Sequence, residues 1–412
     1  MLMNRLIGLI ILAISFSSCN RKVATLTEEA QLYEKAGQLA HQYIITDGHV
    51  DLPYRLKIQN FRLEREYIGI PVETAEGDFD YVRAKKGGLD APFMSIFIPA
   101  SYQDGRAKLL ADSLINMVGS IAEAHPDKFA MATSPAEVEA NFKKGLISLP
   151  MGMENGAPIE GDLRNVDYFH QRGIRYITLT HSKDNHICDS SYDTTHTWNG
   201  LSPFGREVVL EMNRVGIMVD VSHISDSAFW QVMAVTKAPC IASHSSCRKY
   251  TPGFERNMND EMIQRLGENG GVIQINFGTD FLDGQMSKRN DAMREELDAL
   301  LKKEGLKDSD ADAQPIVQQF VKDHPTLYAD VQTVANHIDH VVKLAGVGHV
   351  GFGSDFDGVG DSLPTGLKDV SQYPNLIYEL LKRGYSEEDI EKMCYKNVWR
   401  VWKEVERVAA EM

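Results

Sequence analysis

Short apolar, β-rich runs recur along the chain, and most of them end in a polar residue of catalytic type. Eight such runs predict strands: Tyr43–Ile45, Phe93–Ile98, Leu146–Met153, Ile174–Leu179, Ile217–Val221, Pro239–Ala242, Gly271–Phe277 and His349–Gly353. Between them, apolar residues at three- and four-residue spacing predict helices over Leu109–Ala124, Pro135–Lys144, Val166–Arg172, Gly205–Val215, Asp260–Glu268 and Val331–Leu344. Continuous apolar strands alternating with amphipathic helices predict an α/β fold, a TIM-type (β/α)8 barrel of parallel strands. Such a barrel carries its chemistry at the C-terminal ends of its strands.

Two stretches interrupt the repeat. Residues 278–328 are highly charged, with helix-like pieces at Ala292–Lys303 and Pro315–Lys322, and read as an insertion after the seventh strand that serves as a lid or an oligomer contact. Asn375–Arg383 and Asp389–Val408 read as C-terminal helices covering the barrel, with Ser386-Glu387-Glu388 capping the second.

The residues that follow the strands suggest metal chemistry. His49-Val50-Asp51 places an imidazole and a carboxylate two residues apart, on one side of a strand, where they can hold one ion. His223 and His244 follow the fifth and sixth strands, neighbours in a barrel, and can hold a second. Glu154 ends the third strand, and its two oxygens can bridge two ions about 3.5–4 Å apart. The pattern reads as a two-metal hydrolase. Taken singly, each residue has a bland reading as a hydrogen-bonded core or surface group; the specificity lies in their recurrence at successive strand ends.

Three further residues are candidates. His181 follows the fourth strand and can donate a hydrogen bond to a developing oxyanion, or merely support a ligand. Asp355 ends the eighth strand, closing the ring beside His49, and is either a proton carrier or a third ligand. Arg256 lies in the loop after the sixth strand, where a guanidinium can clamp a carboxylate, although a solvated role suits an isolated loop arginine better. His337-Ile338-Asp339-His340 sits in the helix before the eighth strand and reads as surface, and His349 starts that strand at the structural end of the barrel.

Composition narrows the partners. The net charge of -15, from 58 acidic and 43 basic residues, comes without a basic stripe and argues against nucleic acid. At the N-terminus, Asn4-Arg5, the apolar Leu6–Phe16 and Ser17-Ser18-Cys19 form a signal peptide over residues 1–19. Its cysteine resembles the lipobox of bacterial lipoproteins, with Phe16 where Leu is usual, so Cys19 is the expected lipidation site and a plain secretory signal is the alternative. Residues 20–40 then read as a tether and N-terminal helix, and 41–412 as the barrel. This predicts an exported protein of the periplasm or cell envelope, anchored to a bacterial membrane. Cys188, Cys240, Cys247 and Cys394 fix no disulfide pairing, Cys240 reads as a buried small hydrophobe, and no Cys-x-x-Cys pair suggests a structural zinc site.

The chain resembles the membrane (renal) dipeptidase family, peptidase family M19, through several stretches. These are Asp47-Gly48-His49-Val50-Asp51-Leu52-Pro53, Tyr176–Ser182, Gly200–Gly205, Ser243-His244-Ser245-Ser246, Arg256-Asn257, Gly351–Gly358 and Arg383-Gly384-Tyr385-Ser386. The resemblance implies two zinc ions and cleavage of dipeptides with tolerance of a D-residue at the C-terminal position. It implies that His49 and Asp51 bind one zinc, His223 and His244 the other and Glu154 both, that His181 and Arg256 hold substrate, and that Asp355 also meets it in moving the proton. A homodimer is a further family expectation. The chain departs from the family at Glu154-Asn155-Gly156, where Glu-Gly-Gly is usual, at Val50, where Asn is frequent, and in its charged insertion. Two rival readings are a barrel metallohydrolase for other amides, esters or lactones, whose relatives commonly carry His-x-His on the first strand, and a non-catalytic peptide-binding lipoprotein.

Overall fold

The computed structural model describes residues 27–58, 72–307 and 310–412. The segment expected to be a signal peptide, with Cys19, lies outside the described residues, as does the first part of the expected tether. Among the described residues ten strands are formed: β1 (Ile45–Val50), β2 (Leu89–Phe97), β3 (Phe129–Met131), β4 (Ile147–Leu149), β5 (Met151–Glu154), β6 (Ile174–Thr178), β7 (Met218–Asp220), β8 (Ile241–Ser245), β9 (Val272–Ile275) and β10 (Val350–Phe352). Eight close into a barrel in the order β1-β10-β9-β8-β7-β6-β5-β2, with every pairing parallel. Both faces of these strands are buried, which is why they read as unbroken apolar runs.

Local chemistry sets the crossovers. Ser202 caps the helix Pro203–Val215 by accepting from the Gly205 N–H, with Pro203 at the helix start, where its missing N–H costs nothing. Ser225 caps Asp226–Val235, Asn259 caps Asp260–Glu268 and Asp330 caps Val331–Ala345 in the same way. Ser386 and Asp389 form a reciprocal capping box.

The structure corrects several expectations. The first strand continues through Asp47 and His49 rather than ending before them. Asp47 is fully buried because its carboxylate accepts from the His49 and Ser354 backbone and from the Tyr373 hydroxyl. The run Leu146–Met153 is two strands divided at Pro150, whose lack of an N–H ends a ladder: β4 pairs with β3 in a separate two-stranded sheet, and β5 enters the barrel. The last helix has a π-helical turn at Lys392–Lys396 between Glu387–Glu391 and Asn397–Glu411. Helix Asp226–Val235 adds to those the periodicity predicts, and Glu28–Gln42 is the N-terminal helix expected within residues 20–40.

His337 and His340, expected at the surface, are buried. His337 accepts from the Cys247 N–H and donates to the Leu282 carbonyl, and His340 meets Asp260, so the pair pins the helix to the barrel wall. All four described cysteines are free and buried.

The insertion forms Gly284–Lys303 and Gln314–Asp323, helices that bury little beyond Leu301 and Phe320. Its first turn, Thr279–Leu282, instead returns to the barrel rim, where the Thr279 N–H donates to the Ser362 carbonyl at 2.8 Å. At the opposite end, Phe93, Tyr176, Met218, Ile241 and Val272 pack with Trp399 and Trp402 of the C-terminal helix into an apolar floor.

Candidate metal centre

Seven side chains converge inside the C-terminal rim. His49 and Asp51 come from the end of β1 and the residue beyond it, Glu154 from β5 and His244 from β8. His223 follows β7, His181 follows β6 and Asp355 follows β10. Donor atoms of His49, Glu154 and His244, of Glu154, His181 and His223, and of His49, Asp51 and Asp355 each lie within 4.8 Å of one another.

The distances divide around Glu154. His49 Nε2 is 3.4 Å from Asp51 Oδ2 and 3.3 Å from Glu154 Oε2. Glu154 Oε1 is 3.0 Å from His223 Nε2 and 3.3 Å from His244 Nε2, and these two nitrogens are 2.8 Å apart. Ligands about 2.0–2.1 Å from a tetrahedral ion stand roughly 3.3 Å from one another. The separations of His49 from Asp51 and Glu154 and of His244 from Glu154 fit that spacing, the two imidazoles His223 and His244 stand closer at 2.8 Å, and the two oxygens of Glu154 face different imidazoles.

Hydrogen bonds behind the rings point the nitrogens inward. His49 Nδ1 is 2.7 Å from the Tyr176 hydroxyl, and its Nε2 is buried with no hydrogen-bond partner. His244 Nδ1 meets Ser243 Oγ at 2.7 Å, and that hydroxyl donates to Asp220 at 2.7 Å. With Nδ1 carrying the proton, His244 Nε2 presents a lone pair to the site. Gly152 leaves the space that the Tyr176 ring fills, since a Cβ there would lie 1.9 Å from the ring.

Electrostatics support the same reading. Burial, with the Arg256 charge, holds His223 well below the ordinary histidine value, and burial with His49 and Arg256 does the same to His244, so both stay neutral and able to bind a cation. Burial also opposes charge on His49, but Tyr176, Glu154 and Asp51 outweigh it and raise its pKa: this corner draws positive charge. Against burial, the surrounding imidazoles hold Glu154 well below the usual carboxylate range. Burial pushes Asp355 up to about 7, with Asp51 and Glu154 adding to the rise against the pull of His49.

The backbone is bent sharply here. His223 (φ 70°), Asp355 (φ 63°) and Asn155 (φ 79°) occupy the left-handed region. Such conformations cost about 1–3 kcal/mol each and persist where surrounding contacts impose them. Asn155 stands where the resemblance leads one to expect Gly, and asparagine tolerates this conformation better than most residues. Its side chain donates to the Ile98 carbonyl and accepts from the Ala157 N–H and Asn185, so the departure is built into the rim. Gly358 closes over the carboxylates: a Cβ there would lie 2.2 Å from Asp51 Oδ2 and 2.3 Å from Asp355 Oδ1.

The remaining candidates take different places. His181 sits between Phe97 and His223, 3.6 Å from Glu154 Oε1, and lines a cavity of about 710 Å³ above the donors. Asp355 also lines it and is held by Asn276, whose amide donates to Oδ2 at 2.7 Å. Arg256 lies behind the site, donating to Ser245 Oγ and the His244 carbonyl; its Nε is buried without a partner and it is not part of the cavity lining.

Sequence reasoning overlooked Tyr176, Asp220 and Asn276. Asn276 is a polar residue near the end of the apolar run Gly271–Phe277, and Asp220 is a charge inside another, so both carried a usable signal. The cavity walls Tyr54, Phe97, Tyr192 and Phe281 come from four separate segments and carried none.

A closed parallel barrel with buried imidazoles and carboxylates gathered at its C-terminal rim defines a hydrolase of the metal-dependent barrel class. Residues 33–412 match the membrane dipeptidase family model (peptidase family M19), and the chain belongs to that family, whose members are metallopeptidases that hydrolyse peptide bonds of dipeptides. It is 31% identical to an uncharacterized dipeptidase of Schizosaccharomyces pombe over 385 residues, covering 90% of this chain and 83% of that one. It is 33% identical to the dipeptidase AclJ of Aspergillus oryzae over 378 residues, covering 89% and 79%. Among solved structures it resembles the probable dipeptidase PvdM of Pseudomonas aeruginosa, with TM-score 0.76, 26% identity and coverage of 92% and 99%. It also resembles a metallopeptidase of Rhodobacter sphaeroides liganded with a phosphinate mimic of L-Ala-D-Ala, with TM-score 0.71, 25% identity and coverage of 88% and 99%.

Proposed function

We propose that this chain is a two-zinc dipeptidase whose substrates include L-Xaa-D-Xaa dipeptides. The observation that carries the reading is the division of Glu154, with one oxygen toward His49 and the other toward His223 and His244. His49, Asp51 and Glu154 would hold one ion, and His223, His244 and Glu154 the other. Bound zinc would polarise the scissile carbonyl and lower the pKa of water at the site.

The chain's own groups do the rest. His181, kept below the ordinary histidine value chiefly by burial, is a neutral imidazole at the cavity wall and donates its N–H to the oxygen that gains charge. Asp355, anchored by Asn276, takes a proton at its carboxylate and returns it to the leaving nitrogen. Arg256 supplies positive charge toward the free carboxylate of the substrate from behind the site, its Nε being the guanidinium nitrogen without a hydrogen-bond partner. Tolerance of a D-residue is supported by the L-Ala-D-Ala mimic bound to the similar Rhodobacter sphaeroides enzyme.

The Leu6–Phe16 core and Cys19 support export and attachment to a bacterial membrane by lipid, where peptides containing D-residues from cell-wall turnover would be the natural pool. Cys19→Ala should then move the protein from the membrane fraction to the soluble fraction; unchanged partitioning would remove the anchor. A homodimer also belongs to this proposal, and sedimentation at monomer mass would remove it.

The test of activity is hydrolysis of L,L- and L,D-dipeptides by the zinc-loaded protein lacking residues 1–19, beside a chelated control. Chelator-sensitive cleavage is expected. Cleavage of L,L-dipeptides alone would remove the D-residue assignment, and no cleavage of any dipeptide would overturn the reading.

A further inference from the structure

The cavity above the metal centre has an uneven charge. Its lining includes five carboxylates, Asp51, Glu154, Asp280, Asp355 and Asp357, and no lysine or arginine among the described residues. Four of the five are committed. Asp51 and Glu154 face His49 and the other imidazoles, Asp355 accepts from Asn276, and Asp357 is paired with Arg55 at 2.5 Å. Asp280 alone has no hydrogen bond or ion pair among the described residues.

Asp280 is placed by the first turn of the charged insertion, Thr279–Leu282, which the Thr279 contacts with Ser362 fasten to the rim. It is exposed, and it stands where the cavity meets a neighbouring one of about 470 Å³, with Tyr192 and Phe281 shared between the two. Lys288 lines the neighbouring cavity but makes no ion pair with Asp280. The same cavity carries an apolar and aromatic contribution from Tyr54, Phe97, Tyr192, Phe281 and Val359, beside the hydroxyls of Ser182 and Ser362.

An unpartnered carboxylate at the mouth of a cleft with aromatic and aliphatic wall residues suits a cation carried on an aliphatic stem. We infer that Asp280 is a specificity-determining residue that selects dipeptides bearing a cationic side chain, of the lysyl, ornithyl or arginyl type. The stem packs on the aromatic walls and the charge pairs with Asp280, while the peptide bond lies over the metal centre. An α-ammonium alone is common to every dipeptide and cannot select among them. This inference rests on the dipeptidase reading and gives the insertion a part in substrate choice.

Lysine and norleucine share the stem and differ in the charge, so their ratio isolates Asp280. The experiment measures kcat/KM for lysyl and norleucyl dipeptides, with the variable residue in the first or the second position, on the zinc-loaded full-length protein, Asp280→Asn and Asp280→Glu. The lysyl substrate should be favoured about fivefold in one position, as expected of a partly exposed ion pair. Asp280→Asn should bring the ratio near one, chiefly through KM, and Asp280→Glu should restore most of it. A wild-type ratio near one in both positions, or a preference unmoved in Asp280→Asn, would overturn the inference while leaving the dipeptidase reading intact. Failure of wild type to cleave either substrate in a panel where other dipeptides are cleaved would also overturn it, whereas failure on every dipeptide would strike the dipeptidase reading itself.

Discussion

The two ends of the barrel are built on opposite principles. The floor is apolar and close-packed: Phe93 and Trp402 meet at 5.2 Å between ring centres, and Trp402, Phe93 and Tyr176 are almost wholly buried. The rim buries His49, Asp51, Glu154, His223, His244 and Asp355, and it holds residues in left-handed backbone conformations. One end therefore stabilises the fold by burial, and the other spends part of that stability on groups that water would solvate better. Tyr176 joins them, with its ring against Phe93 and its hydroxyl on His49.

Substitutions at the two ends should therefore fail in different ways. Trp402→Ala removes a large floor side chain and should cost about 3–5 kcal/mol of stability. Denaturant unfolding should show this, with the folded fraction retaining its metal content. Asp355→Asn should do the reverse, lowering kcat by about a thousandfold with melting temperature and metal content nearly unchanged. Loss of metal in that variant would make Asp355 a ligand rather than a proton carrier.

Asp90 tests the floor's intolerance of charge. Burial raises its pKa from 3.8 to about 7, against the pull of Lys85 at 3.7 Å. The folded state therefore holds this proton more tightly than the unfolded chain, and stability falls as pH rises from about 4 to about 7. Asp90→Asn, neutral throughout, should be the more stable protein above pH 7, by on the order of a few kcal/mol, with the advantage shrinking toward pH 4. A pH-independent difference would contradict the assignment. Tyr176→Phe probes the seam. It should weaken metal binding about 10- to 100-fold in a chelator competition, with little change in melting temperature, because it removes the group that fixes the His49 ring.

Much of this was legible in the sequence because both layers of the design repeat. The barrel is visible as apolar runs since parallel strands bury both faces, and the metal donors are visible because each follows such a run. The reading failed where tertiary contacts reverse a local signal. Asp47 and His49 look like a strand's end, yet Ser354 and Tyr373 satisfy Asp47 inside the barrel. His337 and His340 look exposed because their helix lies in the outer ring, but Cys247, Leu282 and Asp260 bury them. The substrate cavity was least legible: Tyr192 and the adjacent Asp280 and Phe281 reach it from two distant segments, and no spacing in the chain announces that meeting.

The most direct test of the metal centre is anomalous diffraction from zinc-loaded crystals, collected on both sides of the zinc absorption edge. The account predicts two peaks, about 3.5–4 Å apart. One should be bonded to His49, Asp51 and one oxygen of Glu154, and the other to His223, His244 and the second oxygen. A single peak, or a pair not bridged by Glu154, would contradict it.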